Sequence, residues 1–138
     1  MAEIELFNPP DLSPPAGFAH AAAAGDLVVL GGQTGTDAGG RVVAPGDLVA
    51  QFGLAIRNVA TALRAAGSAP ELALRLTYFV TDAEDYRAKL KPIGAAYRDV
   101  FGRHYPASSL FEVSRLFDPD ALVEIECMAV RRHAPTGR

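Results

Sequence analysis

The sequence predicts an α+β domain in which a mixed β-sheet carries two helices on one face. Three observations lead there. Short apolar runs bounded by glycine, proline and aspartate have the length of strands; two stretches repeat apolar residues at helical spacing; and the segments follow the order strand pair, short strand, helix, strand, helix, strand, strand. With 138 residues the chain forms one domain, large enough to bury a core. Its 49% hydrophobic and 21% charged residues are the balance of a folded globular protein, not a disordered one.

Residues 1–16 contain Pro9, Pro10, Pro14 and Pro15, which predict an extended, irregular arm. Phe18 to Ala23 reads as a short strand with Phe18 and His20 on one face. Gly25-Asp26 then turns the chain into the apolar run Leu27 to Gly31, completing a hairpin. Asp37-Ala-Gly-Gly40 is a flexible turn before a short strand, Arg41 to Val43. Asp47 is a good helix N-cap; Leu48, Phe52, Ile56, Val59 and Leu63 follow at helical spacing, and Gly67 supplies the stop. Leu72 to Val80 is a strand with Leu72, Leu74, Leu76, Tyr78 and Val80 on one face. Asp82 caps a second helical stretch with the stripe Tyr86, Leu90, Ile93 and Tyr97, which Pro92 must kink or divide. Gly102 and Pro106 end it. Two strands follow, Leu110 to Val113 and Leu122 to Val130, joined by the turn Asp118-Pro119-Asp120, and residues 133–138 form a tail.

The formal net charge of −3 predicts no attraction to nucleic acid or to anionic membranes. No apolar run reaches membrane-spanning length, and the acidic N-terminus is unlike a signal peptide, so a cytoplasmic protein is expected. Cys127 has no partner for a disulfide and reads as a small core residue. His20, His104 and His133 lack metal-ligand spacing, so no metal site is expected. The glycines between 31 and 40 match neither phosphate-loop pattern, and Ser108, Ser109 and Ser114 lack the Gly-x-Ser-x-Gly context of a hydrolase nucleophile. Gly32 stands at a strand end, where a ligand can approach the backbone.

The last strand is the most informative stretch. Its alternation places Leu122, Glu124, Glu126 and Met128 on one face and Val123, Ile125, Cys127 and Ala129 on the other. A carboxylate among apolar strand residues is costly to bury unless it is paired, protonated or used. Glu126 therefore reads in one of two ways. It is an ion-pair partner of Arg115 or Arg75, or it is a carboxylate held in an apolar cleft to orient water and exchange a proton.

Several segments together resemble the RidA family, also known as YjgF or endoribonuclease L-PSP proteins. They are Gly25-Asp-Leu-Val-Val-Leu-Gly-Gly-Gln33, the helix with Gln51 and Asn58-Val59, Ala66-Gly67, Thr77-Tyr-Phe-Val-Thr-Asp82, Tyr97, Tyr105-Pro-Ala107, Glu112-Val-Ser-Arg-Leu116 and Val123-Glu-Ile-Glu-Cys-Met-Ala-Val-Arg131. The resemblance covers most of residues 18 to 132. It implies a chorismate-mutase-like fold that assembles as a homotrimer with small-molecule clefts between subunits. It also implies hydrolysis of reactive imines or enamines to a ketoacid and ammonia without a cofactor. In the family an arginine grips the substrate carboxylate and a glutamate places the attacking water.

On that resemblance Glu126 takes the glutamate's role as the catalytic residue, and Gly32 the role of a backbone contact. Phe18 stands where the family has a tyrosine. The carboxylate-gripping arginine falls on Ser108, an expected hydrogen-bond donor; a frequent asparagine falls on Gly94 and a frequent cysteine on Leu110. Replacing a charged bidentate clamp by one hydroxyl costs a carboxylate ligand roughly 10²-fold or more. The expectation is thus an arginine-lacking member whose substrate is uncharged or amide-bearing rather than the usual 2-imino acid. A non-catalytic binding or chaperone-like trimer is the alternative. A ribonuclease is disfavoured by the acidic balance and the lack of a basic stripe.

Overall fold

In the computed structural model, residues 3–132 are described. The strands are β1 (Ile4–Phe7), β2 (Ala21–Ala24), β3 (Leu27–Leu30), β4 (Gln33–Thr34), β5 (Ala73–Val80), β6 (Ala107–Glu112) and β7 (Val123–Val130). They form one mixed sheet in the order β1-β2-β3-β7-β5-β6, with β4 pairing to β7. Helix α1 (Leu48–Ala65) lies across β3, β4 and β7, and α3 (Leu90–Phe101) packs beside it after the short α2 (Ala83–Ala88).

The local signals behave as their chemistry requires. The Asp47 carboxylate accepts from the Ala50 N–H at 3.0 Å and caps α1, whose stripe Leu48, Phe52, Ile56, Val59 and Leu63 is buried. Gly67 ends the helix at φ +81°, a conformation that favours glycine. Asp82 caps α2 through the Asp85 N–H. The proline divides the second helical stretch as expected: the chain breaks at Lys89, and Pro92 sits in the first turn of α3.

Three expectations are corrected. The N-terminal arm contains an ordered strand, β1, because Ile4-Glu-Leu-Phe7 precedes the first proline and pairs with β2. Arg41 to Val43 forms only an isolated bridge, Thr36 to Val42. In β5 a register irregularity between Ala73 and Arg75 resets the alternation; Ala73, Leu76, Tyr78 and Val80 are buried, whereas Leu74 is exposed. The two strands joined by the Asp118 turn, β6 and β7, do not pair with each other. The turn at Asp118 is present, but β5 lies between the two strands, parallel to β6 and antiparallel to β7.

The alternation of β7 is as expected. Val123, Ile125, Cys127 and Ala129 are buried beneath the helices, and Glu124, Glu126 and Met128 face the other way. No helix covers that second face among the described residues. It presents Ile4, Leu6, Leu27, Val29 and Met128, all exposed.

Gln51 ties α1 to the start of β7. Its side chain is fully buried, donates from Nε2 to the carbonyls of Ala44 and Asp120, and accepts the Leu122 N–H at Oε1. A Gln51→Leu protein leaves these backbone groups unsatisfied and is expected to lose about 2–4 kcal/mol. Urea denaturation measures the loss.

Candidate functional site

Two residues of the expected site meet in a hollow of about 300 Å³ at the end of β3. Phe18 forms one wall, its ring edge-on to His20 at 5.1 Å between centroids, and Gly32 forms the floor. His20 is buried and held on both ring nitrogens, by the Ser13 carbonyl at 2.7 Å and the Gln33 amide at 3.1 Å. Asn58 donates from α1 to the carbonyls of Thr34 and Thr36 and so fixes the strand that leads out of the hollow.

The carboxylates that line this hollow are Glu124 and Asp118, and Glu126 is not among them. A Cβ at position 32 would lie 2.5 Å from Glu124 Cδ and 2.7 Å from its Oε2, so the side chain occupies space that only glycine leaves open. The role of Gly32 seen here is to make room for the acid. Glu124 is half-buried, and among the described residues no hydrogen bond or ion pair holds its carboxyl. Burial, and after it the charge of Glu126, push its pKa up from the ordinary 4.5.

Glu126 lies one pleat further along the same face. It is exposed, in a separate hollow with Val29, Arg75, Thr77 and Met128. Neither ion pair considered for Glu126, with Arg115 or with Arg75, occurs within 4 Å among the described residues; Arg75 donates to the Ser109 hydroxyl at 3.0 Å instead. The placement that sequence reasoning missed follows from register. Val29 pairs with Met128, which, continued, would set Gln33 opposite Glu124. Instead Gln33 stands opposite Ile125, a slip of one residue across Gly31-Gly32. Two glycines at a strand end were the available signal, but they do not say which acid comes alongside.

Ser108 and Gly94 meet in another hollow, of about 200 Å³, between α3 and β6. The Ser108 hydroxyl donates to the Pro106 carbonyl at 2.9 Å, so the expected donor already has its proton engaged locally. Leu110 stands two residues along the same face of β6, outside this hollow, opposite Tyr78. Register decides how the two hollows relate. Ser108 and Leu110 pair with Leu76 and Tyr78, which are buried beneath the helices, whereas Glu124 and Glu126 pair with Phe79 and Thr77 on the uncovered face. A single chain therefore holds the acid and Ser108 on opposite faces of its sheet.

A wider hollow of about 520 Å³ lies at the other end of the sheet, but its Arg131 is already held by Glu5 at 2.7 Å and by the Gly25 carbonyl. Cys127 is buried, and burial pushes its thiol up to about 12, which makes it inert. No cluster of three or more metal-ligating side chains occurs among the described residues.

A mixed sheet with helices on one face and this strand order defines a chorismate-mutase-like α+β domain. The chain belongs to the RidA/YjgF family, whose model, described as Endoribonuclease L-PSP, matches residues 10–131. A RutC family protein of Drosophila melanogaster, UK114, is 34% identical over 117 residues, covering 85% of this chain and 81% of its own. The 2-iminobutanoate/2-iminopropanoate deaminase of Salmonella typhimurium is 35% identical over 78% of this chain and 82% of that one. The crystal structure of E. coli TdcF with bound serine superimposes with a TM-score of 0.80 at 28% identity, covering 93% of this chain and 99% of that one.

Two predictions follow from the Glu124 hollow. The folded protein holds the Glu124 proton more tightly than the unfolded chain does, so this group costs stability as pH rises from 4.5 through its raised pKa. Glu124→Gln should remove that loss: its unfolding midpoint gains on wild type above the window, and the gain shrinks below it. In Gly32→Ala the flexible carboxyl must swing away while the backbone stays. The expected result is a nearly unchanged midpoint and a Glu124 pKa, followed by carbon NMR, that returns towards 4.5.

Proposed function

We propose that this protein hydrolyses small reactive imines or enamines to a carbonyl compound and ammonia, with Glu124 as the acid–base residue. The observation that carries this reading is a half-buried carboxyl with no hydrogen-bond or ion-pair partner, its pKa raised, seated over Gly32 in a hollow walled by Phe18. A general base works best with a pKa moved towards the operating pH. Similarity to deaminases that act on 2-iminobutanoate and 2-iminopropanoate supports the same chemistry.

The steps need only water and one proton carrier. The Glu124 carboxylate takes a proton from water as the water oxygen bonds to the imine carbon, and the C=N electron pair moves onto nitrogen. The nitrogen gains the protons it needs through the carboxyl, and collapse of the carbinolamine expels ammonia and forms C=O. The Phe18 ring excludes bulk water from one side. Glu126 keeps a supporting part, because its charge helps to raise the Glu124 pKa.

The site is completed by neighbouring copies in a homotrimer. The uncovered apolar face of the sheet supports this, since Ile4, Leu6 and Val29 otherwise stand in water. So does the placement of Ser108 and Glu124 on opposite faces, which a second chain can overcome and a single one cannot. A non-catalytic ligand-binding trimer is the second reading, and the absence of a guanidinium on β6 favours it. Ribonuclease chemistry draws no support from the Glu124 hollow, whose one histidine has both nitrogens engaged.

Assay of 2-iminopropionate hydrolysis by ammonia release should show a rate that rises with pH through the raised Glu124 pKa, and a fall of about 10²-fold or more in kcat for Glu124→Gln. An unchanged rate in Glu124→Gln would remove the acid–base role. Light scattering should give the mass of three chains, and Val29→Lys on the uncovered face should give a monomer without activity.

A further inference from the structure

The hollow between α3 and β6 contains one charged side chain, Arg98. The rest of its lining is aromatic or apolar apart from the Ser108 hydroxyl, with Tyr86, Tyr97 and Tyr105 prominent and no acid present. Arg98 follows Gly94 by one helical turn. A Cβ at position 94 would lie 3.2 Å from Arg98 Nη1, so the guanidinium folds back over the bare glycine. Among the described residues it makes no hydrogen bond or ion pair, unlike Arg87, Arg131 and Arg132, which are each paired with a glutamate.

An unpaired guanidinium at the edge of an aromatic hollow selects a small planar anion. Its fork of N–H donors matches a carboxylate in two places, and the tyrosine rings accept the flat apolar remainder. The Ser108 hydroxyl, its proton given to Pro106, adds no competing donor. Tyr105 is 64% exposed and stacked on Tyr97 at 5.5 Å between centroids, so it stands at the mouth as a wall.

We infer that Arg98 binds the carboxylate of the substrate, from helix α3 and not from strand β6. This rests on the imine-hydrolase reading and specifies its substrate: an imino or enamino acid, in place of the uncharged compound that a serine at position 108 suggested. Arg98 is then the residue that sets specificity for an acid, and Gly94 is small because the guanidinium lies across it.

The test compares wild type, Arg98→Ala, Arg98→Lys and the double variant Arg98→Ala/Ser108→Arg. Hydrolysis of 2-iminopropionate generated in situ is one readout. The other is NMR-detected binding of pyruvate and of pyruvamide, which differ only in the carboxylate. Arg98→Ala should raise KM and weaken pyruvate binding by about 10- to 100-fold, with kcat little changed and pyruvamide unaffected. Arg98→Lys should fall between, and Ser108→Arg should restore part of the loss by returning a guanidinium to the hollow. Equal binding of pyruvate by wild type and Arg98→Ala, or equal binding of pyruvate and pyruvamide by wild type, overturns the assignment. Should no protein hydrolyse the imine, the deaminase reading fails, and the pyruvate–pyruvamide comparison alone decides for or against Arg98.

Discussion

Strand β7 is paired along both edges, to β3 and β4 on one side and to β5 on the other, so neither of its faces can rotate. The period of two then distributes its side chains without further choice. Val123, Ile125, Cys127 and Ala129 supply the surface that α1 covers, and the same alternation forces Glu124, Glu126 and Met128 onto the opposite face. Sliding the strand by one residue would bury two glutamates beneath a helix. The cost of an unpaired buried charge is several kcal/mol, so one register is strongly preferred.

That constraint shapes the chemistry. A carboxyl on the uncovered face, half-buried in a hollow, does not lie within the core, so it is partly desolvated without being sealed off. Glu124 is the one of the pair that the glycine slip brings beside a wall of residues from the segment between β1 and β2, from β4 and its flanks, and from α1. Glu126, one pleat away, stays open to solvent. Two carboxyls on one face also repel each other, and the burden falls on the more buried member, whose protonated form is favoured.

Much of this was legible in the residues themselves. The caps Asp47 and Asp82, the break at Pro92 and the two faces of β7 are local signals whose physics does not depend on distant partners. The sequence resemblance also led to the right family, because its segments occur in order over most of the chain. What escaped was set by non-local pairing. A strand in the N-terminal arm shows itself only once β2 is there to receive it; the insertion of β5 between β6 and β7 depends on a parallel crossover; and which glutamate comes beside Gly32 turns on a one-residue slip at Gly31-Gly32. The role proposed for Arg98 was not legible for a related reason. An arginine on an exposed helix face carries no signal until the glycine one turn earlier is seen to receive it.

The two hollows share a construction in which a glycine leaves room for a charged side chain. Glu124 lies over Gly32 and Arg98 over Gly94, each charged group settling where a methyl group would collide with it or crowd it. A long flexible side chain normally spends its conformational freedom in water. Seating it against bare backbone restricts that freedom and brings the charge to a defined place without a counter-charge to neutralise it. An acid and a cation held in this way, on opposite faces of one sheet, do not cancel each other within the chain. In the proposed homotrimer they become complementary, when one copy presents its uncovered face to the helix edge of another, and the exposed apolar face supports the same proposal.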